Sequence, residues 1–378
     1  MAIPPIDLSN LNFDGIKNSL KNYLSSKEYF TDFDYEGSAI STILDLLTYN
    51  TYYQLVFQNI LVNEMFLDSA QKIESLQSHA KLHGFLIQNK YSSKSNLTIT
   101  DPNTIPITIA AYSKFEGRLP NGIVRNFYTV DDVEFSNDGT LNTATFDVYE
   151  AQSAVIKQQF TLNLDKQSCF IPNQNFDFRT ITVEVDIDGS GNYEVYRRGN
   201  VVEPNLYSNT KIYYLETNGS GYDVKFVSGM IDPETGEYIG SPFTENTAVR
   251  ISYLIPSGPS ANGISAITYT SALNPGSILY VNTTSAGGRE TLSIDSLRFF
   301  IPRSFAAQSR NVTQADIKAS LIEANFALTE DQIILSTSDV EPGKIYVSIT
   351  GTSASQQEIL DFLNSRAIMG IVYQYGTV

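Results

Sequence analysis

From Gly37 to Asn63 the chain reads "GSAISTILDLLTYNTYYQLVFQNILVN", 27 residues with one charge, Asp45. The whole chain has a formal net charge of −16, yet no Lys or Arg occurs between Lys27 and Lys72. The apolar residues begin on one side of a helix, at Ile40, Ile43, Leu44 and Leu47. They then move around it through Tyr49, Tyr52, Tyr53, Val56, Phe57 and Ile60. A helix that is apolar on almost every side is buried. A membrane span is excluded by Thr48, Asn50, Thr51, Gln54, Gln58, Asn59 and Asn63, which hydrocarbon does not solvate. The pattern therefore predicts a long helix over residues 38–66 at the centre of a multi-helix bundle. Its amides and phenols need partners there and so specify register. Two flanking helices are too few to cover it. The ten apolar residues named above are thus expected to form an interface with other chains.

Residues 1–92 read as this helical region. "NFDGIKNSLKNYLSS" places Phe13, Ile16, Leu20 and Leu24 at helical spacing. In "DSAQKIESLQSHAKLHGF", Asp68 or Ser69 can cap a helix that carries Ile73 and Leu76, and Gly84 can stop it. Residues 93–285 read as one or more antiparallel β domains. Short β-branched or aromatic runs such as "NLTIT", "ITVEVDI" and "VRISYLI" are separated there by Gly, Asn, Asp and Pro. Within this region 257–285 looks like extended connector with two strands. Residues 286–378 read as a small α/β domain. Thr313 and Asp316 open one helix as a capping box, and Ser355 and Glu358 open another. "KIYVSIT" and "GIVYQY" are strands. The fold class is α+β multidomain.

Chemistry is sparse. With 25 Lys+Arg against 41 Asp+Glu, the chain repels phosphate backbones, and no nucleic-acid partner is expected. One cysteine, Cys169, allows no intramolecular disulfide framework and no Cys-based zinc site. "MAIPPIDLSN" has neither a basic nor an apolar segment of a secretory signal. The only histidines, His79 and His83, share a helix face but lack the intervening glutamate of a zinc motif. "DIDGSGNYEVYR" begins like a calcium loop at Asp186, Asp188, Ser190 and Gly191, but Arg197 stands at the twelfth position, where a bidentate glutamate belongs. It reads as a hairpin turn. No catalytic residue, cofactor or metal is expected, and no enzyme activity.

The segment from Asp34 to Gln71, followed by "SHAKLHGF", resembles the N-terminal signature of the baseplate wedge proteins of T-even-type contractile-tailed bacteriophages. "VRISYLIPSGPSANG" and "GGRETLSIDSLRFFIPRSFAAQSRNVTQADIK" resemble motifs of the wider baseplate J-like family. The second carries Glu290, Arg298, a Pro302-Arg303 strand in the family pattern, then Arg310, Val312 and Thr313 at a helix start. The resemblance spans residues 12–90 and 246–350. Where relatives often carry a Phe-Gly-Asp-Gly turn, this chain has "KFVSGMIDPETGEYIG", a longer or reshaped one.

The resemblance implies a structural virion protein of the tail baseplate, assembled in the host cytoplasm. It implies two copies of this chain in each wedge, bound to a small wedge protein and other wedge proteins. Wedges then form a ring around the hub, near the sheath initiator, with no membrane insertion. T-even relatives continue past the point matching Val378, so ring contacts made by that segment are absent here or supplied otherwise. The rival readings are a receptor-binding or fibre-type tail protein with a carbohydrate site, and a tail-associated glycan hydrolase. A fibre would show repeats and a trimeric coiled coil.

Overall fold

The computed structural model describes residues 12–376, apart from 28, 30–32, 36, 104–107, 138–139, 200–210, 228–229, 232–235, 237, 240–242, 308–309, 325, 327–329, 338–340 and 353. The segment read for a targeting signal and part of the reshaped turn after Lys225 lie outside the described residues. The chain divides into two compact units, residues 1–76 and 77–378.

In the first unit, α1 (Phe13–Ser25) is capped by Asn12, whose side chain accepts from the Gly15 amide at 2.7 Å. α2 (Ala39–Glu64) is capped by Ser38, which accepts from the Ser41 amide at 3.0 Å. Both caps satisfy a backbone donor that the helix itself cannot. The two helices pack together, and Lys17 pairs with Asp45 across them at 2.5 Å.

α3 (Ile73–Leu82) starts later than Asp68 or Ser69. The Glu64 carboxylate accepts the amides of Gln71 and Lys72 at 3.0 and 3.2 Å, and Ser69 donates its hydroxyl to the Asn63 carbonyl instead. The α2 terminus thus holds residues 65–70 in turns. Gly84, at φ +67°, ends the helical region as its sequence position predicts.

In the second unit, strand Lys94–Asp101 alternates from Ser95 onward, with Leu97 and Ile99 fully buried. It lies in a sheet of order Ala266–Tyr269, Lys114–Arg118, Val124–Tyr128, Asn142–Ala151, Lys94–Asp101, Ile278–Val281. The two strands read into 257–285 are the outer ones. A second sheet runs Ser153–Phe160, Ala248–Ile255, Thr182–Asp186, Glu194–Arg198, Ile212–Asn218, Gly221–Phe226, Ser168–Ile171. It is antiparallel except where Glu194–Arg198 meets Ile212–Asn218. Each sheet has its own core: Phe115, Phe127 and Val148 in the first, and Phe176, Tyr222 and Tyr253 in the second.

Tyr112 joins the two sheets. It reaches from the first into the second, where its hydroxyl lies 2.8 Å from the Thr180 carbonyl, 2.8 Å from Thr182 Oγ1 and 3.2 Å from the Ser252 carbonyl. Tyr112→Phe leaves these buried oxygens a donor short. It is expected to lower unfolding free energy by about 1–3 kcal/mol, checked by urea denaturation.

The C-terminal part carries a three-stranded sheet, Ile333–Thr337, Lys344–Ile349 and Val372–Tyr375, with α6 (Gln356–Ser365) packed on it. The motif residues 302 and 303 are not in a strand. They lie in α4 (Ile294–Ala307), which includes Pro302. Leu297, Phe300 and Ile301 are buried at helical spacing, and burial of that stripe outweighs the missing proline donor. The Arg303 guanidinium donates to the Phe299 carbonyl at 3.2 Å. α5 (Gln314–Glu323) opens on the complete capping box: Thr313 Oγ1 accepts from the Asp316 amide, and Asp316 accepts from the Thr313 amide. Thr313→Ala is expected to cost about 1 kcal/mol, read as a lower urea midpoint.

A buried polar centre ties the two sheets to this C-terminal part. The Asp177 carboxylate, fully buried, accepts from the Ser92 amide at 2.7 Å and from Arg179 Nη2 at 2.6 Å. The Arg179 guanidinium lies over the rings of Tyr91 and Tyr149. On the other side Arg289 stacks on Tyr91 at 4.0 Å and donates to the Ile322 carbonyl at the end of α5. Lys94 binds Asp147 at 2.9 Å and Glu358 of α6 at 2.7 Å. Gly288 admits no side chain here, because a Cβ would strike the Ser93 hydroxyl and the Gly258 carbonyl.

Candidate assembly interface

α2 is not buried all round. Ser41, Leu44 and Thr48 are covered, and they fall on one face at helical spacing. Leu44 is 4% exposed, so it packs within its own chain, and Ile40 is half-buried. The other eight residues assigned to the interface behave differently. Ile43, Leu47, Tyr49, Tyr52, Tyr53, Val56, Phe57 and Ile60 are all exposed. Phe57 is 56% exposed and Tyr53 63%. Tyr49 and Tyr53 stack on each other with ring centroids 6.4 Å apart.

Leu46, 68% exposed, belongs to the same surface, as do Leu61 and Met65. The covered face shows that α1 occupies only one side, and these residues lie off it. Asp45, the only charged residue from Gly37 to Asn63, is drawn to Lys17 instead. Amide pairs run along it, Gln54 to Asn50 at 3.3 Å and Asn63 to Asn59 at 3.5 Å. A contiguous apolar area of this kind is rare on soluble monomers and marks an interaction site. No described helix is long and apolar enough to cross a membrane.

The other candidates resolve into local structure. His83 lies just past the end of α3, with Nδ1 2.9 Å from the carbonyl of His79 in that helix, and its ring stands edge-on to Phe305. In the calcium-like loop Asp186 already accepts from the Gly189 and Gly191 amides at 3.0 and 2.7 Å. It closes the turn with oxygens that a cation would need. Among the described residues no group of three or more His, Cys, Asp or Glu is placed to hold a metal. Of the motif residues, Glu290 faces Lys90 at 3.8 Å, Arg298 pairs with Asp295 at 2.9 Å, and Arg310 and Val312 are exposed.

The segment bearing the apolar surface matches the family model described as the helical domain of gp6-like baseplate wedge proteins, over residues 12–85. Residues 12–85 are thus similar to the helical domain of gp6-like baseplate wedge proteins. The match begins at the α1 cap and ends just past Gly84, so it takes in all three helices. The similarity extends beyond this segment. The chain is 26% identical over 371 residues to the baseplate wedge protein gp6 of Enterobacteria phage T4, covering 92% of this chain and 54% of that protein. The chain thus spans about half the length of the curated relative it matches. A chain in the cryo-EM structure of the anti-feeding prophage (AFP) baseplate, 6-fold symmetrised, aligns over 100% of this chain and 80% of its own length. Its TM-score is 0.28 at 11% identity, too slight a likeness to bear on the fold.

Proposed function

We propose that this chain is a structural subunit of a contractile phage tail baseplate. It builds wedges by pairing with a second copy of itself and with a small wedge protein, and the wedges join into a ring around the hub. Its work is assembly and the transmission of geometry when the tail contracts, without catalysis. The observation that carries this reading is the exposed, uncharged apolar surface of α2, which lies inside the gp6-like domain. In this reading residues 1–92 supply a helical core bundle. Residues 93–285 form a rigid β spacer, and 286–378 a further contact module.

A cryo-EM map of the intact tail tests this. The account expects two copies of α1–α3 in each wedge, with α2 enclosed by other helices. Density for this chain at a fibre tip, or with α2 facing solvent in the ring, contradicts it.

A further inference from the structure

Residues spaced alternately three and four apart form a narrow stripe along a helix, and a sustained stripe of this kind is a coiled-coil seam. α2 carries one through Ile43, Leu46, Asn50, Tyr53, Phe57 and Ile60. All six are exposed. At about 100° per residue the stripe lies opposite the covered face of Ser41, Leu44 and Thr48. One member is polar. Asn50 sits within the seam, and an amide buried there is satisfied by a second amide that offers both a donor and an acceptor. A single Asn in such a position lowers stability and fixes register.

Resting on the wedge reading above, we propose that Asn50 sets the register of a parallel pair of α2 helices by meeting Asn50 of a second copy of this chain. Three observations favour a copy of the chain as occupant. An amide is its own complement. The seam carries no charge that would select an oppositely charged partner, since Asp45 lies off the stripe and is paired with Lys17. And the parallel arrangement sets like against like along the whole stripe, whereas an antiparallel one, matched end to end, sets Asn50 against Tyr53. Apolar flanks beside the stripe, Leu47 and Leu61 on one side and Tyr49 and Val56 on the other, let a third helix pack against the pair.

The test uses the full chain with Leu46→Cys, on the stripe next to Asn50 and leaving its amide in place. The native thiol does not interfere, because Cys169 is buried and burial pushes it up to about 12. Under mild oxidation a parallel, in-register pair brings the introduced thiols within disulfide reach. Most of the chain is expected to become covalent dimer. Thr51→Cys, off the stripe, should link about five-fold less. Adding Asn50→Leu to Leu46→Cys should cut the yield about two-fold, while light scattering shows continued association as a mixture of sizes. A chain that dimerises without linking at Leu46→Cys, or whose yield Asn50→Leu leaves unchanged, overturns the register assignment and leaves the wedge reading standing. A chain that stays monomeric at every concentration overturns both.

Discussion

Asp177→Ala is expected to lower the unfolding free energy by about 3–5 kcal/mol. The carboxylate is fully buried and is held by the Ser92 amide, the Arg179 amide at 3.0 Å and the Arg179 guanidinium. Removing it leaves the Arg179 guanidinium, whose side chain is 27% exposed, without its counter-charge beside two tyrosine rings, with Arg289 stacked on one of them. A part-buried cation that loses its partner costs more than the pair itself contributes. Asp177→Asn tests the charge separately. It keeps the shape but not the neutralisation, so it should be nearly as damaging. Urea midpoints on the full chain measure both, and a loss below about 1 kcal/mol for Asp177→Ala would show that the centre does not hold the sheets together.

The same carboxylate gives a pH dependence. Burial pushes its pKa up, but the Arg179 charge and the amide bonds outweigh this and hold it below the ordinary carboxylate range. A depressed pKa contributes stability above the unfolded value, about 3.9, and that contribution is lost as pH falls through the folded value. Acid unfolding should therefore steepen below about pH 4 in the wild type and lose that component in Asp177→Asn.

What the sequence reveals and what it hides follow from range. The capping box at Thr313, the Ser355 cap, the Gly84 stop and the alternating strands are local signals, and the structure bears them out. The start of α3 is hidden because the amides just before it are met by Glu64 at the end of α2, not by a capping side chain of its own. The strand at Pro302-Arg303 comes only with the family pattern, and the buried Leu297–Ile301 stripe of this chain's own residues makes that segment a helix. The polar centre was invisible for a different reason. Ser92 and Asp177 are 85 residues apart, and no periodicity links them. On α2 the apolar residues were legible, but their partition was not. Only the packing of α1 shows that Leu44 faces inward while Leu46 and Phe57 face out.

That partition makes the assembly claim sharp. A fully buried side chain of this size contributes roughly 1.5–3 kcal/mol. Several together exceed the entropy cost of association, about 4–15 kcal/mol. Ile43→Asp and Val56→Lys each place a charge on the exposed surface, where the chain's own fold has nothing to lose. In a closed seam of α2 helices the same charge meets no free counter-charge, since Asp45, the only charged residue from Gly37 to Asn63, is already paired with Lys17. Leu44→Asp is the contrast, because it buries a carboxylate between α1 and α2 and should unfold that helix pair. The decisive measurement is co-purification of tagged Val56→Lys chain with the other wedge components, alongside its urea midpoint. The account predicts that co-purification is abolished while the midpoint stays at the wild-type value. A Val56→Lys chain that still assembles into wedges would contradict it.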